Sequence, residues 1–175
     1  MNFITFQIQK SNLDEFMDHW SRLYLYDSEE KYTSNIGKPL TEKSRIELFE
    51  WKNGSKISQN KMDSILENYP LEFSEDKADR YLNYKKSGGA IWNIFYLHCL
   101  DPSVWPIFDQ HTYRAMKYLM TRSIVEIGNT NKKKFESYLN EYKPFLASLK
   151  QADYRKTDKA LFAFGQFLKI AAKYI

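Results

Sequence analysis

The sequence predicts an all-α protein, and three observations carry that expectation. Apolar residues recur every three or four positions through most of the chain, the spacing of an amphipathic helix. Ser, Thr or Asp stands ahead of these runs and Gly, Asn or Pro behind them, which are helix start and stop signals. One stretch, residues 3–8, alternates with a period of two but has no nearby strand to pair with, so it reads as a possible extended N-terminal arm. With 175 residues, 43% apolar and 17% aromatic, the chain is expected to form one domain over residues 1–175, of about eight helices, burying about two thirds of its unfolded surface.

Ser11 and the run Leu13, Phe16, Met17, Trp20, Leu23, Tyr24 predict a first helix over roughly residues 12–25. Residues 27–40 follow as the longest polar loop. Thr41 opens a second helix that stops at Asn53-Gly54, a good C-terminal signal. Ser58 opens a third, stopped by Pro70, and Ser74 a fourth that ends near Lys86. The fifth, Ala90 to Leu100, carries Ile91, Trp92, Ile94, Phe95, Tyr96, Leu97 and Cys99 and has almost no polar face. A helix apolar all round is a central one. The sixth runs from Asp109 to about Arg122, and the seventh from Lys132 to Lys150 with a kink near Pro144. Thr157 and Asp158 open the last, whose stripe is Leu161, Phe164, Leu168, Ala171 and Ile175.

Lys and Arg number 26 against 22 Asp and Glu, a net charge of +4. The excess is uneven: residues 1–120 carry 15 basic and 17 acidic side chains, and residues 121–175 carry 11 and 5. A nucleic-acid-facing surface, if present, therefore belongs to the C-terminal third, where Lys132, Lys133 and Lys134 stand together. The lone Cys99 excludes an intrachain disulfide, a cysteine-based zinc site and a cysteine-held iron–sulfur cluster. No apolar run is long enough to span a membrane, and the N-terminus lacks the basic start of a secretory signal. A cytoplasmic location without a membrane partner is the expectation. No cofactor motif is present either: Ser87-Gly88-Gly89 lacks the Lys-Ser/Thr ending of a phosphate loop, so no cofactor is expected.

The histidines, His19, His98 and His111, have no His or Cys partner three or four residues away, and His98 in the apolar helix reads as a hydrogen-bonded core residue. Cys99 lies in the same helix, where a thiol is inert. Asp109 is left with two readings. Ahead of Gln110-His111-Thr112 it is a preferred N-cap, stabilising its helix by about 1 kcal/mol. Framed by Trp105 and Phe108 at a positive helix end, it is also a fixed and ionised carboxylate that can stabilise a developing cation.

The stretch Ser87 to Met116 includes Pro106-Ile107-Phe108-Asp109 and Arg114-Ala115 behind a Gly-Gly turn and an apolar helix. It resembles the helix-hairpin-helix DNA glycosylase superfamily over about a sixth of the chain. The resemblance implies an all-α fold, Asp109 as the carboxylate of N-glycosidic bond cleavage, and a hairpin offering backbone N–H groups to a DNA phosphate. The family's Leu-Pro-Gly-Val-Gly hairpin is replaced by Lys86-Ser87-Gly88-Gly89-Ala90, and Ile91 or Trp92 occupies the place of the lyase lysine. A monofunctional enzyme of base excision repair is what that pattern implies.

A base leaves its sugar through an oxocarbenium-like state, which a nearby carboxylate stabilises. It must first be flipped into a pocket of stacking side chains. Trp92, Trp105, Phe108 and Trp51 are available stackers, and Gln110 or His111 could read a base edge. The expected contacts to a DNA duplex are Lys85, Lys86, Ser87, Gly88, Gly89, Arg114, Lys132, Lys133 and Lys134. The alternative is a non-catalytic helical module of the same fold that binds nucleic acid or a protein partner, in which Asp109 is only a cap.

Overall fold

The side chains of Asn12, Thr41, Asp109, Thr130 and Asp153 cap helix starts, the last of these helices beginning at Tyr154, three residues ahead of the expected Thr157. The computed structural model describes residues 12–71, 78–83, 85 and 88–173. Helix α1 (Leu13–Arg22) opens on a capping box between Asn12 and Glu15. A short α2 (Glu29–Thr33) interrupts the expected polar loop. Ser28 makes no side-chain cap; the turn is held by the buried Tyr32 and by Lys31 against Glu50 at 2.7 Å. Helix α3 (Glu42–Asn53) has a Thr41–Ser44 box and ends at Gly54 in the left-handed region, with φ 71°. Then come α4 (Gln59–Asn68) and α5 (Ala78–Leu82). The arm at residues 3–8 and the start of the fourth expected helix, Ser74 to Lys77, lie outside the described residues.

Helix α6 (Ala90–Leu100) is central, as its all-apolar surface requires. One side, with Ala90 and Ile94, joins a core formed with Phe108, Tyr138, Tyr142, Leu161 and Phe164. The other, with Phe95, Tyr96, Leu97 and Cys99, joins a second core of Tyr32, Leu48, Phe49, Trp51, Ile65 and Tyr69. The two cores thus share one helix. Cys99 is 2% exposed and burial pushes its thiol far up, which fits an inert packing residue. His98 sits between the Tyr32 hydroxyl at 2.8 Å and the Trp105 carbonyl at 2.7 Å. Burial lowers it to about 3, against the pull of the Trp105 carbonyl.

The second half is α7 (Gln110–Thr121), α8 (Asn131–Ser137), a π-helical turn at Tyr138–Tyr142, α9 (Lys143–Leu149) and α10 (Tyr154–Ala171). The expected kink near Pro144 takes the form of that wider turn, which puts Pro144 at the start of α9, where its missing N–H costs nothing. Helices α7 and α10 pack closest at Gly165, where a Cβ would run into the His111 backbone. That approach brings α10 side chains to the mouth of α7. Among the described residues no strand occurs, and no helix is long and apolar enough to cross a membrane.

Candidate active site

Asp109 is a cap and more than a cap. Its Oδ1 accepts from the backbone N–H groups of His111 at 2.8 Å and Thr112 at 3.0 Å, and Thr112 Oγ1 accepts from the Asp109 N–H at 3.1 Å. The other oxygen, Oδ2, faces Lys52 Nζ of α3 at 3.3 Å. Lys52 is 8% exposed; its ammonium also reaches the Phe108 carbonyl at 3.4 Å and lies 5.7 Å from the centre of the Phe95 ring. Burial opposes the charge on Asp109, but Lys52, the Thr112 N–H and the neighbouring His111 outweigh it and hold the carboxyl below its usual range.

The Asp109 side chain is 19% exposed and opens onto a small pocket walled by Tyr24, Tyr26, Trp51, Ile107 and Phe162, with Lys52 and Asp158 as its other polar groups. A second cavity of about 80 Å³ adjoins it through Ile107 and Asp158. Its walls include Tyr32, His98, Pro106, Tyr142 and Arg155. Benzene fits a dry cavity of about 150 Å³, so both spaces are closed down relative to an aromatic ring.

Asp158 and Arg155 bring a second set of charges from α10. Arg155 donates to Glu29 at 2.6 Å, to the Tyr24 hydroxyl at 3.0 Å and to Asp158. Its guanidinium lies 4.2 Å from the Tyr32 ring centre and 5.3 Å from that of Trp51. Arg155 Nε and Asp158 Oδ1 are buried without hydrogen-bond partners. Burial pushes the Asp158 carboxyl up to about 6; Arg155 and Lys52 pull it down, while Asp109 and Glu29 add to the rise. Burial also opposes the charge of Glu29, which Arg155, Lys159 and Tyr24 nevertheless hold below the usual carboxylate range.

The nominated base-pocket residues fall elsewhere. Phe108 is 1% exposed and packs on Tyr138 and Tyr142 in the first core. Trp92 stacks on Phe49 under the Lys61 ammonium, and Trp105 lies beneath that of Lys143. Gln110 accepts from the Ile127 N–H at 3.1 Å. His111 rests on Phe162 and faces Arg114 through Nδ1 at 3.2 Å; burial lowers it despite the pull of Asp109. The aromatic faces beside Asp109 are Tyr24, Tyr26, Trp51 and Phe162 instead. Only Trp51 was a stacker the sequence suggested.

Arg114 corrects the expected DNA-contact set. It is 2% exposed, paired through two nitrogens with Glu126 at 2.8 Å each, and donates to the Gly165 carbonyl at 2.8 Å. A guanidinium buried inside the α7–α10 interface, with four of its five N–H donors engaged, is out of reach of a phosphate. The hairpin and the lysine run, by contrast, come together. Asn131 accepts from the Ala90 N–H at 3.1 Å and donates to the Gly88 carbonyl at 3.3 Å, so the turn at Gly88-Gly89 sits against the start of α8 beside Lys132, Lys133 and Lys134. Gly88 adopts φ 100°, and a Cβ there would strike Asn93, whose Oδ1 accepts from the Tyr69 hydroxyl. Lys85 is exposed; Lys86 and Ser87 lie outside the described residues.

Comparison with known proteins finds no matching family model, no matching curated protein and no matching solved structure.

Proposed function

We propose that the protein is a monofunctional DNA glycosylase-like hydrolase that cleaves the N-glycosidic bond of a flipped, damaged or modified base. The observation that carries the reading is the second oxygen of Asp109. A pure cap would spend its carboxylate on its own helix, whereas Asp109 satisfies two backbone N–H groups with Oδ1 and presents Oδ2 beside Lys52 at the wall of an aromatic pocket. An ionised carboxylate so placed stabilises positive charge on a deoxyribose as the base departs. The rings of Tyr24, Tyr26, Trp51 and Phe162 supply stacking surface once the base parts them. The juxtaposed Gly88-Gly89 turn and Lys132–Lys134 run supports a duplex phosphate contact. Lys52 acts as the counter-charge of Asp109, and Ile91 or Trp92 takes the place of the lyase lysine, so the reading includes no strand scission.

The test is single-turnover base release from duplexes carrying alkylated, oxidised, deaminated or mismatched bases, read as strand breaks after alkali. Asp109→Asn keeps an N-cap of equal quality but leaves Lys52 without its counter-charge, so about 1–2 kcal/mol of stability should go with it. Base release should fall by about 100-fold or more while duplex affinity holds. Release that survives the substitution, or a parent that releases none of these bases, defeats the catalytic reading. The second of these outcomes leaves the non-catalytic binding module.

A further inference from the structure

Proton supply is the step that Asp109 cannot perform. An ionised carboxylate steadies the sugar cation, but a neutral base departing with the electron pair of the C1′–N bond is a poor leaving group unless a proton reaches it. We infer that Asp158 is the general acid of the site, donating a proton to the departing base from the floor shared by the two pockets, with an Oδ1 that no protein group engages. This rests on the glycosidic-bond reading above and extends it to a second catalytic residue.

The surroundings of the two carboxylates divide the labour between them. Asp109 has two backbone N–H groups and an ammonium against it, all favouring the anion. Asp158 has one guanidinium, on its own helix, and otherwise faces Asp109 from α7 and Glu29 from α2, with Lys52 of α3 partly compensating. The phenols of Tyr24, Tyr32 and Tyr142 also bear on it, each pushed up by burial and none a source of positive charge. Two carboxyl groups driven apart in this way are the pattern of an acid and an ionised stabiliser in one site. The burial that raises Asp158 to about 6 keeps a proton on it in mildly acidic solution.

The step balances without a further reagent. The Asp158 proton moves to a ring nitrogen or exocyclic oxygen of the base, the C1′–N bond breaks, and its electron pair leaves with the base. Water adds to C1′ of the cation opposite Asp109, and the proton it sheds returns to the Asp158 carboxylate. One water is consumed; the free base and an abasic sugar are released.

Leaving-group chemistry provides the experiment. A neutral base such as uracil or hypoxanthine needs the proton; a base already cationic through N-alkylation, such as 7-methylguanine, does not. Single-turnover release by the parent and by Asp158→Asn is compared on matched duplexes of the two kinds. Asp158→Asn should slow release of the neutral base by about 100-fold or more and slow the cationic base far less, so the neutral-to-cationic rate ratio collapses. The parent alone gives a second readout: its rate on the neutral base should fall about tenfold per pH unit above a pH of about 6, where the acid loses its proton, and stay level on the cationic base. Equal slowing on both bases makes Asp158 merely structural and overturns the inference, as does a parent profile on the neutral base without that fall. A parent that releases only cationic bases overturns it too, because no proton is required. Release lost with Asp109→Asn yet intact with Asp158→Asn overturns this inference alone, whereas a parent that releases nothing takes the glycosidic-bond reading down with it.

Discussion

Two arginines, Arg114 on α7 and Arg155 on α10, sit in charged clusters that differ in how fully their polar atoms are satisfied. Arg114 has its nitrogens committed: two to Glu126, one to the Gly165 carbonyl and to His111. Glu126 itself reaches solvent, with a side chain 58% exposed, so the pair needs little desolvation on one side. Arg155 stands in a tighter crowd. It contacts Glu29, Asp158 and Tyr24, lies over the rings of Tyr32 and Trp51, and still leaves its own Nε and the Asp158 Oδ1 without partners. Buried polar groups are nearly always satisfied where stability alone is at stake. Arg45, Asn93 and Gln110 also leave a buried nitrogen unpartnered, but Arg155 and Asp158 do so as an ion pair that lines a pocket, where such groups are functional-site candidates.

The largest stability effect should come from breaking the satisfied pair. Arg114→Leu removes the guanidinium from a 2% exposed site, takes one donor from the Gly165 carbonyl and loosens the α7–α10 contact. Removing one member of a buried pair costs roughly 3–5 kcal/mol; since Glu126 is free to turn to water, about 3 kcal/mol is expected. Glu126→Gln leaves the buried guanidinium an amide acceptor but no counter-charge, so it should cost about 1–2 kcal/mol, less than Arg114→Leu. Urea unfolding followed by circular dichroism measures both, and equal losses would erase the asymmetry claimed for this pair.

Arg155→Met should cost somewhat less, about 2 kcal/mol near neutral pH, because Lys159 still faces Glu29 at 3.2 Å. The loss should shrink toward pH 5. There Asp158, whose carboxyl burial raises to about 6, carries its proton and no longer needs the cation. A pH-independent loss would mean that Arg155 acts through its stacking on Tyr32 and Trp51 and that Asp158 does not titrate.

Much of the fold was legible, and the reasons are local. The Ala90–Leu100 run has no polar face, and that alone makes α6 central. Asp109 before Gln110-His111-Thr112 is a cap in any context, and the structure adds the reciprocal bond from Thr112. The site's other polar groups were not legible. Lys52 lies 57 residues from Asp109 in sequence, in the last turn of α3, where a lysine is ordinary. Asp158 reads in the sequence as part of a helix start and Arg155 as part of a basic face, and only the α7–α10 crossing at Gly165 turns them toward Asp109. The stacking set was hidden for a different reason. With 17% aromatic residues, proximity in sequence to Asp109 picked Trp105 and Phe108, while the pocket drew Tyr24, Tyr26 and Phe162 from loop and helix segments far away in the chain. Helix α2 is held by tertiary contacts at Tyr32 and Lys31 rather than by a cap.

The smallest effect is the most specific to the open cluster. Asp158→Asn keeps the shape of the side chain and a hydrogen-bond acceptor for Arg155, so stability at neutral pH should change by less than about 1 kcal/mol. Its pH dependence should change in a defined direction. In the parent the folded-state carboxyl titrates at about 6, above the unfolded value of roughly 3.9. The folded protein therefore holds a proton that the unfolded chain has lost, and this group's contribution to stability is full below about 4 and declines as pH rises through 6. His98, lowered to about 3 by burial, works in the opposite sense, since the unfolded chain takes up its proton first on acidification. Both proteins contain His98, so it cancels in the difference between them. Parent stability minus variant stability should fall by about 2 kcal/mol between pH 4 and pH 7, as read from urea midpoints at matched ionic strength. A flat difference would place Asp158 with the satisfied charges, alongside Arg114, and remove the distinction between the two clusters.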